Sequence, residues 1–288
     1  MDRGPDPHAP EAGAEPLRIT PLLPAGEPAT APEIVESLGL WKRPAAAGEG
    51  PRVLLNMVST VDGRASIGGR SGPIAGPADR ELFHALRTPA DAVMAGAGTM
   101  RVERYGRITR DAARRRLRRE RGLSDEPLAC IVSSSLALPP DLPLLAEPDA
   151  HVVVLTPSEA SLPETPARVD YVRTAADGAV DLAAALAELR RRHGVELLLC
   201  EGGPHLSCQL LAAGLVDELF LSLSPKLAGG DPMDGEALRI LAGEELRPPL
   251  EMDLMGVLEH DSHLFLRYCV SARARLSRET TSSSSLAS

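Results

Sequence analysis

The residues that most clearly suggest chemistry form a strand-to-turn motif over residues 91–100. Its apolar part, residues 92–95, predicts a buried strand. Gly96 and Gly98 then predict a tight turn whose backbone can lie against a flat or phosphorylated ligand. If Thr99 starts a helix, its hydroxyl caps the free N–H groups there, and that helix end attracts an anion. A Gly-x-Gly after a strand is more often an ordinary turn, so the motif alone does not assign a ligand.

A second turn of the same kind follows a later strand. The apolar run 195–200 leads into Glu201, Gly202, Gly203 and Pro204, and proline is favoured at the first position of a helix. In an open α/β sheet such turns gather beyond the carboxyl ends of the strands, where ligands bind. Two of them, each with a helix N-terminus, suit a pyrophosphate. With two such turns in the sequence, a nucleotide-cofactor site and a pair of ordinary structural turns are about equally well supported.

Three side chains invite both a chemical and a structural interpretation. Asp62 follows a buried strand, and Glu201 ends one. Each carboxylate is therefore either a structural group in a turn or in the core, or a reacting acid at the sheet edge where the glycine turns lie. Arg87 ends a helix, where it either complements the helix dipole or contacts a phosphate. Sequence alone leaves these alternatives open.

Other motif classes are absent from the sequence. Arg101 stands where the Rossmann fingerprint has its third glycine, so that dinucleotide fold is not supported. No Gly-Lys-Ser/Thr or Gly-x-Ser-x-Gly motif occurs, which argues against phosphotransferases and hydrolases. The four cysteines are scattered without Cys-x-x-Cys, and no histidine lies at ligand spacing. We therefore predict neither a disulfide framework nor a metal site.

Composition limits the classes of partner. The chain has 288 residues and a formal net charge of −9, which argues against a general nucleic-acid binder. The basic stretch 101–121 is best interpreted as a solvated surface helix, with nucleic-acid binding as the less favoured alternative. No long apolar segment is present, and the cysteine pattern suits a reducing compartment. We expect a cytoplasmic protein that binds neither nucleic acid nor membrane.

Apolar periodicity predicts the elements that position these residues. Strands are predicted at 53–58, 92–95, 128–132, 151–156, 169–173, 195–200, 216–223, 250–259 and 263–270, and helices at 77–88, 111–121, 180–193 and 204–213. This alternation predicts an α/β fold with a mixed, mostly parallel central sheet flanked by helices. Residues 1–50 read as a Pro/Ala/Gly-rich leader, in which 17–20 suits an edge strand and 31–40 a short helix. Residues 51–272 form the predicted globular domain, and 273–288 a disordered Ser-rich tail.

Taken in order, the motifs resemble a known family. They are Asn56-Met-Val-Ser-Thr-Val-Asp-Gly63, Ser71-Gly72, Ala75-Gly76, Leu86-Arg87, the 91–99 motif, Glu201-Gly-Gly203, Gly214-Leu-Val-Asp-Glu218 and Pro225. This series resembles the reductase domain of the riboflavin-biosynthesis deaminase/reductase, over roughly residues 52–270. The resemblance implies a dihydrofolate-reductase-like fold and a homodimer that uses NADPH. It also implies a 5-amino-6-(5-phosphoribosylamino)uracil reductase activity, in which the ribose opens and hydride converts it to a ribityl chain.

The resemblance also implies roles for individual residues. Those expected to hold NADPH are Gly96, Gly98, Thr99, Met100, Ser133, Ser134, Glu201, Gly202, Gly203 and Pro204. The serines, together with Ser135, are expected near the adenosine 2′-phosphate. Those expected to face the substrate are Asn56, Ser59, Asp62, Ser71, Arg87, Glu103 and Arg110, with the arginines on its phosphate. Asp62 and Glu201 are the expected catalytic acids.

The chain also departs from the family pattern. The zinc signature of the deaminase is absent, which predicts a stand-alone reductase, and Asn56 is similar to the archaeal and fungal stand-alone forms. The segment 103–109, which would border the substrate, differs from the family's usual sequence. Two alternatives follow: a dihydrofolate or pterin reductase on the same fold, and a non-catalytic NADP-binding module.

Overall fold

A single ten-stranded sheet organises the protein. The computed structural model describes residues 16–42, 49–230 and 238–270. The strands are β1 (Thr20–Leu23), β2 (Arg52–Thr60), β3 (Ala92–Gly96), β4 (Leu128–Val132), β5 (His151–Thr156), β6 (Arg168–Arg173), β7 (Leu197–Cys200), β8 (Glu218–Ser224), β9 (Met252–His260) and β10 (His263–Val270). Their spatial order is β1-β9-β10-β8-β2-β7-β3-β4-β5-β6.

Seven neighbouring strands, from β8 to β6 in that order, are parallel, whereas β10, β9 and β1 pair antiparallel at the other edge. The parallel strands other than the edge strand β6 are largely buried on both faces, which explains their apolar runs. Val53, Leu54 and Leu55 in β2, for example, are each at most 1% exposed. The predicted α/β class with a mixed, mostly parallel sheet is confirmed.

Helices cover both faces of the sheet. They are α1 (Ala31–Ser37), α2 (Pro77–Arg87), α3 (Ala97–Val102), α4 (Ala112–Glu120), α5 (Leu182–His193) and α6 (Pro204–Ala212). Helices α1 and α2 pack on one face, and α5 and α6 pack on the other. Local signals set the ends of α5, because the side chain of Asp181 accepts from the N–H of Ala184, and Gly194 ends the helix at φ 66°.

Part of the stretch predicted as a leader lies against this core. Strand β1 extends the antiparallel edge by pairing with β9. Ile19, Ile34 and Leu40 are buried in the same cluster as residues of α2 and β3. The guanidinium of Arg121 lies 4.9 Å from the Trp41 ring. Residues 16–42 therefore pack on the sheet, while the predicted boundaries at 51 and 272 remain predictions and the tail 273–288 lies outside the described residues.

The basic segment forms the predicted helix but not a uniformly solvated one. Arg118 in α4 is fully buried, and its Nη1 donates to the carbonyl oxygens of Thr88 at 2.7 Å and Ala90 at 2.6 Å. A guanidinium enters the interior here because it satisfies carbonyl oxygens at the end of α2. Within the described ranges, no helix is both long and apolar enough to cross a membrane.

Candidate active site

The two glycine turns meet at the carboxyl ends of β3 and β7. Because these strands are parallel neighbours, their exits lie side by side. The N–H of Gly96 donates to the carbonyl of Gly202 at 2.9 Å, and the N–H of Gly203 donates to the Thr99 hydroxyl at 3.1 Å. The structure thus joins two motifs that the sequence keeps about a hundred residues apart.

The role expected for the Thr99 hydroxyl differs in the structure. Helix α3 begins at Ala97, and Gly96 is its N-cap, so Thr99 already lies inside the first turn. Its hydroxyl is therefore not the N-cap acceptor, and it binds the second turn instead. The reason is that the glycines allow the chain to enter the helix three residues earlier than the sequence suggests.

The glycines of the two turns differ in the space around them. A Cβ on Gly96 would enter open space, and one on Gly98 would meet only Arg101 Nη2, at 3.9 Å. A Cβ on Gly203 would lie 2.9 Å from Thr99 Oγ1, and this residue has φ 37°. The first turn therefore leaves an open backbone surface, while the second needs glycine for packing.

A buried ion pair lies directly behind these turns. Arg87, at the end of α2, donates from Nε to Glu201 Oε1 at 2.6 Å and from Nη2 to Glu201 Oε2 at 2.7 Å. Its Nη1 donates to the carbonyl of Ile108 at 3.0 Å. The side chains of Arg87 and Glu201 are only 10% and 2% exposed. Such a bidentate pair is a strong, directional contact that fixes both side chains.

Tyr105 completes this group. Its hydroxyl donates to Glu201 Oε2 at 2.7 Å. Burial, followed by the negative charge of Glu201, raises the pKa of Tyr105 well above its usual value. The phenol therefore remains a hydrogen-bond donor, and the carboxylate of Glu201 accepts bonds from two side chains. Sequence reasoning assigned no role to Tyr105, and only its position in the divergent segment 103–109 pointed to it.

This geometry changes two expectations. Arg87 is buried and bound to Glu201, so the structure does not present it to a substrate phosphate. Glu201 has its carboxylate enclosed by Arg87 and Tyr105, which suits an anchor of the β7 exit better than a proton donor. We interpret both residues as supports of the glycine turns.

A family model described as the RibD C-terminal domain matches residues 51–265. The chain belongs to the RibD C-terminal domain family.

Named relatives of this family cover most of the chain. The 2,5-diamino-6-ribosylamino-4(3H)-pyrimidinone 5′-phosphate reductase of Methanothermobacter thermautotrophicus is 29% identical over 228 residues, which are 76% of this chain and 98% of that protein. The reductase of the same name from Archaeoglobus fulgidus is 30% identical over 185 residues, covering 62% and 83%. A solved pyrimidine reductase-like protein from Corynebacterium diphtheriae shares the fold, with a TM-score of 0.67 at 23% identity over 84% of this chain and 99% of that one.

Within this RibD C-terminal domain, Ser71 and Glu103 are in direct contact, and their expected place in a substrate site remains a prediction. The N–H and the hydroxyl of Ser71 both donate to Glu103 Oε1, at 2.8 and 2.9 Å. This contact ties the glycine-rich loop before α2 to the end of α3. Both residues are half-buried beside the turns.

Asp62 acts in the structure as an anchor for the loop after β8. Its Oδ2 accepts the N–H groups of Ala228 at 3.0 Å and Gly229 at 2.6 Å, and its Oδ1 accepts the hydroxyl of Thr60. The Thr60 hydroxyl and then the Gly229 N–H lower the pKa of Asp62. An exposed carboxylate of lowered pKa is ionised at neutral pH and is a poor proton donor.

A second anchor of this loop was missed at the sequence level. Lys226 Nζ donates to the carbonyl oxygens of Pro73 at 2.7 Å and Ile74 at 3.2 Å. It therefore connects the exit of β8 to the loop before α2. Its position directly after Pro225 was the only available signal.

The remaining expected site residues have varied environments. Asn56 is half-buried in β2, and Ser59 is 5% exposed with its hydroxyl donating to the Thr60 carbonyl. Ser133 is buried and follows β4, whereas Ser134 and Arg110 are exposed. Pro204 is the first residue of α6. Met100 is fully buried, so its side chain belongs to the core rather than to a cofactor surface.

Proposed function

We propose that this protein is a reductase of riboflavin biosynthesis that acts on a phosphoribosylamino-pyrimidine. The observation that carries the proposal is the junction of the two glycine turns, where Gly203 binds Thr99 beside the open backbone of Gly96 and Gly98. The two named relatives reported above are pyrimidinone 5′-phosphate reductases. Their names favour the diamino-pyrimidinone over the deaminated uracil as the substrate.

We further propose that the nicotinamide cofactor is NADPH. The first turn of α3 offers backbone N–H groups to its phosphates, and Ser134, exposed beyond β4, is available to the adenosine 2′-phosphate. When bound, the nicotinamide supplies hydride to C1′ of the opened ribose, and a proton balances the charge at the adjacent nitrogen. The chain's own residues hold the turns in register and align the two reactants.

In this proposal the substrate lies among the loops that follow β2 and β8 and precede α2. Ser71 and Glu103 fasten one side of that region, and Asp62 with Lys226 fastens the other. Arg110 is exposed, and no carboxylate within the described ranges pairs with it, so it is available to a substrate phosphate. Arg87 supports the site from behind.

We infer a homodimer that uses the antiparallel edge of the sheet. Leu22 and Leu23 in β1, and Leu254 and Met255 in β9, are each between 44% and 49% exposed. These four large apolar side chains expose hydrophobic surface on the two strands at this edge of the sheet, and such surface is commonly covered by a protein interface.

We also infer a cytoplasmic protein without nucleic-acid partners. Its four cysteines are unpaired, as expected in a reducing compartment. Most arginines of the 101–121 segment bind protein groups, including Arg114 with Glu81, Arg119 with Asp125 and Arg121 with Glu36. Such pairing neutralises the basic stretch.

The test is nicotinamide oxidation with three substrates offered separately. They are the diamino-pyrimidinone phosphoribosyl compound, its deaminated uracil form and dihydrofolate, each with NADPH and with NADH. We expect turnover of the first substrate with NADPH. Turnover of dihydrofolate alone would support the pterin reductase, and cofactor binding without any turnover would support the non-catalytic module.

A further inference from the structure

Three potential metal ligands meet far from the glycine turns. His151 Nε2 lies 2.7 Å from Asp170 Oδ2, and the rings of His151 and His193 have centroids 5.8 Å apart at an angle of 67°. One ligand atom of each residue lies within 4.8 Å of the other two. All three side chains are half-buried rather than fully solvated. This His-Asp-His cluster has no part in the reductase site described above.

The fold creates the cluster from three separate elements. His151 is the first residue of β5, Asp170 lies in the neighbouring strand β6, and His193 is the last residue of α5. The end of α5 is held beside β6 by Arg192, whose Nη1 donates to the Tyr171 carbonyl at 3.2 Å. Because the strands are parallel, the start of β5 lies on the side of the sheet where the strands begin, whereas the glycine turns lie where the strands end. The site is therefore separate from the proposed chemistry.

One nitrogen of the cluster lacks a hydrogen-bond partner. His193 Nε2 is shielded from solvent, and no group of the described residues forms a hydrogen bond with it. A buried polar atom of this kind needs a partner, and a metal ion held by the cluster would supply one.

We propose that His151, Asp170 and His193 bind a divalent first-row transition metal, with Zn²⁺ as the ion that best fits the donor set. Two imidazoles and one carboxylate leave a fourth tetrahedral position for water. Mg²⁺ and Ca²⁺ are disfavoured because they prefer oxygen ligands. Ligand atoms about 2.1 Å from Zn²⁺ lie about 3.4 Å apart in a tetrahedron, so His151 and Asp170 need to separate only slightly.

One neighbouring charge opposes the metal and provides a directional test. Arg168 Nη2 lies 3.0 Å from Asp170 Oδ2, and the Arg168 side chain is 69% exposed. Arg168 competes with a cation for the carboxylate, and Arg192 adds further positive charge nearby. Replacing Arg168 with glutamine should therefore tighten metal binding, which a purely structural ion pair would not do.

The experiment is calorimetric titration of the chelator-treated full-length protein with Zn²⁺. We expect one site per chain in the wild type, at least about tenfold weaker binding in His193→Gln and in Asp170→Asn, because each lacks one of only three protein ligands, and tighter binding in Arg168→Gln. His84→Gln is the matched control, since it removes an exposed imidazole from α2 outside the cluster. Circular dichroism checks that each variant is folded.

Either of two titration results would overturn the proposal. Equal Zn²⁺ affinity and stoichiometry in the wild type, His193→Gln and Asp170→Asn, or no binding in the wild type, would exclude the site. Should His193→Gln not fold, Asp170→Asn and Arg168→Gln must still change affinity in opposite directions. Because metal binding is measured without cofactor or substrate, its outcome is independent of the reductase proposal.

Discussion

Arg87 and Glu201 form a two-point ion pair inside the protein although 114 residues separate them in sequence. The pair links the end of α2 to the exit of β7. It lies immediately behind the turns at Gly96 and Gly203, so it positions the candidate cofactor surface without touching it.

Replacing one member of this pair should lower the free energy of unfolding more than replacing both members. We expect Arg87→Leu to lower the free energy of unfolding by about 3–5 kcal/mol, because it leaves the buried Glu201 carboxylate without its charge partner. The double variant Arg87→Leu/Glu201→Leu should recover part of that loss. Urea unfolding of the single and double variants measures the coupling. Additive losses would contradict the role of the pair.

Tyr105 should make stability sensitive to alkaline pH. Its folded pKa is raised, whereas an unfolded tyrosine ionises at about pH 10. Below that pH both states are protonated, so stability is unaffected. Above it the unfolded state loses a proton that the folded state keeps, and stability falls by up to about 1.4 kcal/mol per pH unit until the folded pKa is reached.

Chemical unfolding between pH 8 and 11 tests this expectation. Tyr105→Phe should lose that component of the slope, whereas Tyr268→Phe, on the half-buried face of β10, is the matched control. Tyr105→Phe should also be less stable at neutral pH by about 1.5–3 kcal/mol, since it removes a hydrogen bond to a charged acceptor. An unchanged alkaline slope would argue against the buried, protonated phenol.

Two substitutions of Asp62 separate an anchor from a proton donor. An asparagine can keep its oxygen on the N–H groups of Ala228 and Gly229 and turn its amide towards Thr60, whereas alanine keeps none of these bonds. We expect Asp62→Ala to lower kcat/KM about 10–100-fold, the effect of a displaced loop, and Asp62→Asn to stay within about threefold. If Asp62→Asn is as inactive as Asp62→Ala while cofactor still binds, the carboxylate itself takes part in the reaction.

The glycine turns give a matched pair of substitutions. Gly203→Ala should weaken both folding and NADPH binding, because its Cβ meets Thr99 Oγ1 and its φ of 37° costs about 1–3 kcal/mol for a residue with a side chain. Gly98→Ala lies in helix α3, where its Cβ would make only an ordinary contact with Arg101 Nη2 at 3.9 Å, so the protein should fold at least as well. Fluorescence titration with NADPH should nevertheless show weaker binding for Gly98→Ala. Unchanged affinity would remove the first turn from the cofactor site.

The exposed apolar patch predicts the assembly state. We expect Met255→Glu to weaken the homodimer by at least about tenfold, since it places a charge in a patch that an interface would desolvate. Ala183→Glu adds the same charge to an exposed position of α5 and serves as the control. Light scattering over a concentration series distinguishes them. A wild type that is monomeric throughout would contradict the inferred dimer.

Local patterns were enough to predict most of the elements. The predicted strands 128–132, 151–156 and 263–270 coincide with β4, β5 and β10, because strands buried on both faces or bounded by turn residues mark their own ends. Helix α4 was predicted as well, but composition cannot reveal which of its arginines turns inward. That choice depends on where the carbonyl oxygens of Thr88 and Ala90 lie in the folded protein.

The candidate site was predictable only in part. Glycine turns can be identified from sequence, but their contact depends on β3 and β7 being neighbours, which sequence order does not give. The same limit explains why Arg87 was expected on a phosphate, since its partner Glu201 comes from a distant strand. The His-Asp-His cluster escaped notice because its ligands come from three elements rather than one spaced motif.

The central position of β2 has a consequence for how the protein is made. Both of its neighbours, β7 and β8, come from much later in the chain, and the N–H of Val53 binds Asp217 across 164 residues. A ribosome therefore releases β2 long before either partner strand exists. Its backbone N–H and C=O groups and its apolar side chains must wait without partners, so the sheet cannot close from the N-terminus onward. During this interval the nascent chain needs protection from aggregation.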